Sequence, residues 1–270
     1  MNMRDYIWQS GKPINIQMNP IVLITGASSG FGKATAEKFA AGGFGLILTG
    51  RRKERLDDLK IDLQSKYLVE VHVAGLDVRD REVVFEFIQK LPEEWKNISI
   101  LVNNAGLALG RDYFDEASLD DWETMIDTNI NGLLYVSKAI LPLMTLRKQG
   151  HIINIGSTAG KEVYEKGNIY CASKFAVNAI SEAMRIDLLR HHIKVTCINP
   201  GASDTEFSNV RFKGNDQLAS KVYEGYKPLV ASDIAEVIFF CATVPPHVCI
   251  NELTMTSLAQ ANSFYLHKDF

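Results

Sequence analysis

Tyr170 and Lys174 lie four residues apart in NIYCASKFA, thirteen residues beyond Ser157. On a helix, positions i and i+4 share a face, so the phenol and the ammonium point into one site. A phenol alone titrates near ~10, too high for a base at neutral pH. An ammonium beside it favours the phenolate and lowers that value. Ser157 closes the apolar run HIINIGS, which reads as a buried strand. A hydroxyl at its carboxyl end can bond the same substrate oxygen as the tyrosine. The arrangement suits moving a proton on or off an alcohol or carbonyl oxygen. Spacing alone does not decide this, because YEGYK repeats it with Tyr223 and Lys227. Thirteen residues before Tyr223 stands Val210, and Gly225 and Pro228 oppose a helix there.

A second constellation points to a nucleotide. Residues 21–32 read IVLITGASSGFG and run into KATAEKFAAGG. That is a short strand, a loop of Gly26, Ser28, Ser29, Gly30, Phe31 and Gly32, and a helix. Glycines permit a tight turn and close approach of the backbone to a pyrophosphate, which the positive helix end favours. The next strand, GLILT, ends in Gly50, Arg51 and Arg52. Where an acidic residue would bond an unphosphorylated ribose, this chain offers guanidinium groups. They suit a 2′-phosphate, so the expected cofactor is NADP(H).

The elements that must hold these residues alternate. IVLIT, GLILT, VEVHVAGL, ISILVNN, HIINIGS, IKVTCIN and NELTM read as strands separated by helical patterns. The expected fold is α/β: a single Rossmann-type domain over residues 20–270, with a doubly wound parallel sheet and helices on both faces. Residues 1–19 read as an N-terminal extension whose Tyr6, Ile7 and Trp8 could dock on the body or on a neighbouring subunit. Ser118 to Asp121 reads as a capping box starting one helix through Met144. Residues 203–230 break the rhythm and read as a substrate lid, with Gly214 and Gly225 as hinges.

TGASSGFG, LDV with Asp77, NNAG, Asn129 in TNING, Ser157, Tyr170, Lys174 and NPGASDT together resemble the motif set of the short-chain dehydrogenase/reductase family. The resemblance implies hydride transfer at the nicotinamide with Tyr170 as acid/base. Lys174 would hold the ribose and depress the tyrosine, Ser157 would orient the substrate oxygen, and Asn129 would complete a water-linked proton relay. It also implies that Asp77 and Val78 border the adenine and that Asn104, Ala105 and Gly106 line the cofactor channel. Pro200 and Gly201 would also bind the cofactor, and Thr205 would meet its carboxamide side. TEFSNVRFKG and PPHVCINELTM resemble the subgroup acting on 3-hydroxy acids, which includes NADP-dependent serine and allo-threonine dehydrogenases. The implied substrate is a small 3-hydroxy acid or 3-oxo acid of the serine, allo-threonine or 3-hydroxypropionate type. A reductase of neutral carbonyls such as diketones is the alternative. Intact Asn129, Ser157, Tyr170 and Lys174 count against a non-enzymatic cofactor sensor. The family likeness also implies a homotetramer.

A 3-hydroxy acid needs a cation or hydrogen-bond donors that do not also serve the cofactor. Arg211 and Lys213 on the lid, and Lys161 and Tyr164 after Ser157, are the candidates. Arg211 is preferred because a guanidinium grips a carboxylate with two bonds. The net charge of −3 gives no footprint for nucleic acid. No apolar run approaches the ~18 residues of a membrane span. Cys171, Cys197, Cys241 and Cys249 are scattered and read as reduced thiols of a cytoplasmic protein. The six histidines show no metal spacing, so no metal is assigned.

Overall fold

A computed structural model describes residues 19–269. The expectation placed on Tyr6, Ile7 and Trp8 lies outside the described residues. Strands β1 (Ile21–Thr25), β2 (Gly45–Gly50) and β5 (Gly150–Ile155) are buried at every position. Such unbroken burial belongs to a sheet covered on both faces. β3 (Val71–Gly75), β4 (Ile98–Asn103), β6 (Ile193–Pro200) and, at the far edge, β9 (Glu252–Met255) complete it. The order is β3-β2-β1-β4-β5-β6-β9, and every pairing is parallel. The chain runs outward from β1 to β3, then returns to β4 on the other side of β1. The helices that follow β1 and β4 therefore pack on opposite faces, which leaves a crevice at the strand ends where such sheets bind ligands.

Helices cover both faces. On one, Phe39 of α1 (Gly30–Ala41), Leu56 of α2 (Lys53–Tyr67) and Ile234 of α9 (Ala231–Thr243) share a core cluster with β1 and β2. On the other, Val84 of α3 (Arg81–Lys90), Ile140 of α5 (Gly132–Arg147) and Leu188 of α6 (Asn168–Leu188) share a second. α4 (Leu119–Ile126) precedes α5.

Two local expectations need correction. Ser118 sits at the N-cap of α4 but its side chain caps nothing. The Asp121 carboxylate is instead 2.8 Å from Lys213 Nζ, far along the chain, so the longer-range partner wins over the box. The helix expected through Met144 is also not continuous. Residues Asp127–Asn131 form a π-helical turn between α4 and α5. Such a turn re-aims one side chain within a helix and recurs at functional sites; here it carries Asn129.

The segment after β6 forms β7 (Ser203–Asp204), α7 (Glu206–Arg211), α8 (Asp216–Lys221) and β8 (Leu229–Val230). Ser203 pairs with Leu229 and Asp204 with Val230, so the excursion is pinned where it leaves and rejoins the body. Gly214 and Gly225 within it both hold positive φ. Among the described residues, no helix is long and apolar enough to cross a membrane. No group of three or more His, Cys, Asp or Glu side chains among them could hold a metal ion.

Candidate active site

A cleft of about 580 Å³ runs along the carboxyl edge of the sheet. Its size suits a small ligand or cofactor. At one end lies the glycine loop. Gly26 has φ +66°, and a Cβ there would fall 2.9 Å from the Ala105 Cα. A Cβ on Gly32 would fall 2.6 Å from Asn104 Nδ2. Only glycine lets the β1 and β4 loops approach this closely. Asn104 locks them, its Nδ2 donating to the carbonyls of Thr25 at 2.8 Å and Gly26 at 3.1 Å. The Thr25 hydroxyl accepts from the backbone N–H groups of Asn104 and Ala105, each at 3.0 Å. Sequence reasoning placed Thr25 before the glycines but gave it no role; its only signal was a hydroxyl at the last strand position.

The residues present fit NADP(H). Ser29 is the N-cap of α1 yet makes no side-chain cap bond, and the first turn holds no acid. The helix amides thus stay available to phosphate. Ser28, Phe31, Arg51, Arg52, Asp77 and Val78 line the same end of the cleft. Arg79 holds the Asp77 carboxylate through two nitrogens, at 3.0 Å and 2.6 Å, and keeps its pKa below the ordinary range. Ala105, Pro200 and Gly201 line the middle. Thr205 caps α7, accepting from Phe207 N at 3.2 Å, and faces Gly30 across the loop.

The catalytic candidates converge. Tyr170 and Lys174 share one face of α6, and Ser157 follows β5 two residues past its end. Ser157 N–H donates to Asn199 Oδ1 at 3.1 Å, and its hydroxyl accepts from Ala159 N at 3.1 Å. Burial pushes the Tyr170 phenol up to about 12, the neighbouring Tyr164 adding to the rise. The Arg211 guanidinium and the Ser157 hydroxyl pull the other way. Lys174, expected to depress the phenol, stands close by. Its ammonium sits 6.0 Å from the Tyr170 ring centroid and donates to the Ile155 carbonyl at 2.8 Å. Burial lowers Lys174 itself to about 8.

Asn129 is buried and fully engaged. Its Nδ2 donates to Leu107 O at 2.8 Å and Ser173 Oγ at 3.0 Å, while Oδ1 accepts from Leu107 N at 2.9 Å. A Cβ on Gly106 would lie 3.2 Å from that Oδ1 and 3.6 Å from Lys174 Nζ, so the glycine keeps this corner open.

The four substrate-side candidates separate into two pairs. Arg211 Nη2 donates to the Tyr164 hydroxyl at 2.9 Å, and its guanidinium lies 4.7 Å from the Tyr170 ring centroid and 5.2 Å from that of Phe207. Lys213 and Lys161 are drawn away by Asp121 and by Glu252, the latter at 2.6 Å. Sequence reasoning also missed Arg111 and the tail after β9, both on the cleft wall. Gln260 of that tail accepts from Ala202 N at 2.8 Å and packs against Gly201. No periodicity or motif marked the tail.

The comparisons agree with this geometry. Residues 20–216 match the family model for short chain dehydrogenase. The chain is 49% identical over 242 residues to the NADP-dependent 3-hydroxy acid dehydrogenase YdfG of Escherichia coli (strain K12), covering 89% of this chain and 96% of that relative. It is 45% identical over 254 residues to sulfoacetaldehyde reductase 2 of Chromohalobacter salexigens, covering 93% and 100%. The closed form of serine dehydrogenase complexed with NADP+ superposes with a TM-score of 0.87 at 47% identity, covering 92% of this chain and 100% of that one. The protein is an oxidoreductase that uses NADP(H) and acts on hydroxyl groups. With its seven-stranded parallel sheet and its cofactor cleft at the strand ends, the chain belongs to the short-chain dehydrogenase family.

Proposed function

We propose that the chain moves hydride between NADP(H) and a small 3-hydroxy acid or its 3-oxo partner, of the serine, allo-threonine or 3-hydroxypropionate type. The observation that carries this reading is Arg211. Its Nε is buried without a hydrogen-bond partner, in a guanidinium stacked beside Tyr170. A buried charged donor left open is costly, and an anionic ligand group would satisfy it. The 49% identity to a 3-hydroxy acid dehydrogenase supports the same substrate class.

NADP(H), when bound, gives or takes the hydride. The chain's own groups handle the proton and the orientation. With its pKa near 12, Tyr170 is protonated at neutral pH. It is therefore poised to donate to the carbonyl oxygen of a 3-oxo acid during reduction. Ser157 steadies that oxygen from the end of β5. In the oxidation direction the phenol must lose its proton, and the Arg211 and Ser157 contacts both favour that. Lys174, from its place on the Ile155 carbonyl, holds the cofactor ribose. Asn129 ties the β4 loop to α6 and anchors the proton path behind Lys174.

A sulfonated aldehyde is a second reading, favoured by the 45% identity to a sulfoacetaldehyde reductase and by the same guanidinium, which serves either anion. We also infer a cytoplasmic homotetramer. Leu119, Ile126, Leu134, Phe175 and Ile186 expose apolar surface along α4, α5 and α6, where a second copy would cover them. Light scattering that gives a monomer mass would remove the assembly.

Replacing Arg211 with Leu tests the substrate. KM for 3-hydroxypropionate or serine should rise at least about tenfold, the loss of one charge-assisted contact, while turnover of a neutral carbonyl changes little. Parallel loss on both substrate classes would make Arg211 structural. Failure of the parent enzyme to use any 3-hydroxy acid, with sulfoacetaldehyde turned over, would move the assignment to the sulfonate.

A further inference from the structure

Glu206 opens α7, the first helix of the segment after β6. It lies 154 residues from Arg52 in sequence, yet its Oε2 is 2.8 Å from Arg52 Nη1. Arg55 Nη1 takes both carboxylate oxygens, at 2.8 Å and 3.0 Å. These two guanidinium groups hold the Glu206 carboxyl below its ordinary pKa, so it is ionised at neutral pH. The other nitrogens of Arg52 are committed as well. Nε donates to Ser28 Oγ at 3.2 Å, and Nη2 donates to Ser28 Oγ at 3.1 Å and Ser29 Oγ at 2.7 Å. A carboxylate from beside the substrate pocket thus rests on a guanidinium at the adenosine end of the cofactor cleft.

We propose that Glu206 is an internal competitor for the 2′-phosphate of NADP(H), released from Arg52 when that phosphate binds. The inference rests on the reading of Arg52 as a 2′-phosphate ligand. A phosphate and a carboxylate on one guanidinium repel each other, and juxtaposed like charges are disfavoured. Arg55 offers the displaced carboxylate a place to stay. The displacement is easy because both ion pairs are about half exposed, with side-chain exposures of 43%, 47% and 49% for Arg52, Glu206 and Arg55. Such pairs are worth little individually. NAD(H), which lacks the phosphate, leaves the pair untouched. Glu206 therefore lowers the enzyme's preference for NADP(H) below what its arginines alone would give.

Calorimetric titration of NADP+ and NAD+ into the parent enzyme, Glu206→Gln, Arg52→Ala and the double variant tests this. Thermal melts check that each variant is folded. Glu206→Gln should tighten NADP+ by roughly three- to tenfold, the scale of releasing such exposed pairs. NAD+ affinity should stay within about twofold, and the effect should vanish in the Arg52→Ala background. Unchanged or weaker NADP+ binding in Glu206→Gln overturns the proposal, as does a parallel shift of both cofactors. Arg52→Ala alone should weaken NADP+ and spare NAD+. If it spares both, the reading of Arg52 itself fails and the inference falls with it.

Discussion

At the cofactor end of the cleft, position is set by main chain. Gly26 and Gly32 let two loops touch, Thr25 and Asn104 stitch those loops together, and β1 beneath is buried throughout. At the substrate end, position is set by side chains from separate segments. Tyr164 follows β5, Tyr170 sits on α6, Arg211 on α7, and Gln260 in the tail. Backbone sites tolerate few residue types but serve any ligand of the same shape. Side-chain sites can change one contact at a time. On the proposed reading the first end holds the cofactor, and the second supplies the proton chemistry and chooses among substrates.

The sharpest way to break that division is Tyr170→Phe. The ring and its packing against Phe207 and Arg211 remain, and only the transferable proton is lost. Steady-state kcat should fall by ~10²–10⁴-fold. NADP+ affinity, measured by titration, should stay within about threefold, since no main-chain contact changes. A variant that keeps more than about a tenth of parental kcat would take Tyr170 out of the proton step.

Gly32→Ala should act at the other end and in the opposite manner. The new methyl meets Asn104 Nδ2 and the Gly26 carbonyl, and neither can withdraw without opening the β1–β4 junction. Overpacking of this kind typically costs about 1–3 kcal/mol. Chemical denaturation should report that loss, and NADP+ and NAD+ should weaken together. Weakening confined to NADP+ would mean that the loop reads the 2′-phosphate rather than the shared pyrophosphate.

Legibility in the sequence follows the same split. The strands, the glycine loop and the Ser157–Tyr170–Lys174 spacing are local patterns, and the structure places them together. What stayed hidden is non-local. The π-helical turn at Asp127–Asn131 buries the polar Thr128 and Asn129, which no apolar pattern marks, so the stretch reads as one helix. Asp121 looked like half of a capping box because Lys213, 92 positions later, could not be seen as its partner. The Arg52–Glu206 pair and the tail on the cleft wall join segments that no spacing rule connects.

His151 supplies the smallest expected effect and the cleanest control, because it lies on the strand that leads to Ser157 but at the opposite end. Its Nε2 is 2.7 Å from Thr196 Oγ1, and its Nδ1 is buried without a partner. Burial, with Lys194 beside it, lowers its pKa to about 3. An unfolded histidine binds its proton near its ordinary value of about 6.5. Between those values the unfolded chain holds a proton that the folded one does not, so stability is lost as pH falls below about 6.5. The loss from this one group approaches about 1.4 kcal/mol for each pH unit below that point and ends near pH 3. Urea denaturation from pH 6.5 to pH 4.5 measures the slope. His151→Leu should flatten it, at the expense of leaving the Thr196 hydroxyl without its partner. At pH 7.5, kcat/KM of that variant should match the parent within about twofold, because ~0.4 kcal/mol is the most that a well-folded site should feel from the far end of its strand. A larger kinetic change would mean that the amino and carboxyl ends of β5 are mechanically coupled. Rigid-scaffold reasoning about the active site would then have to include the strand's whole length.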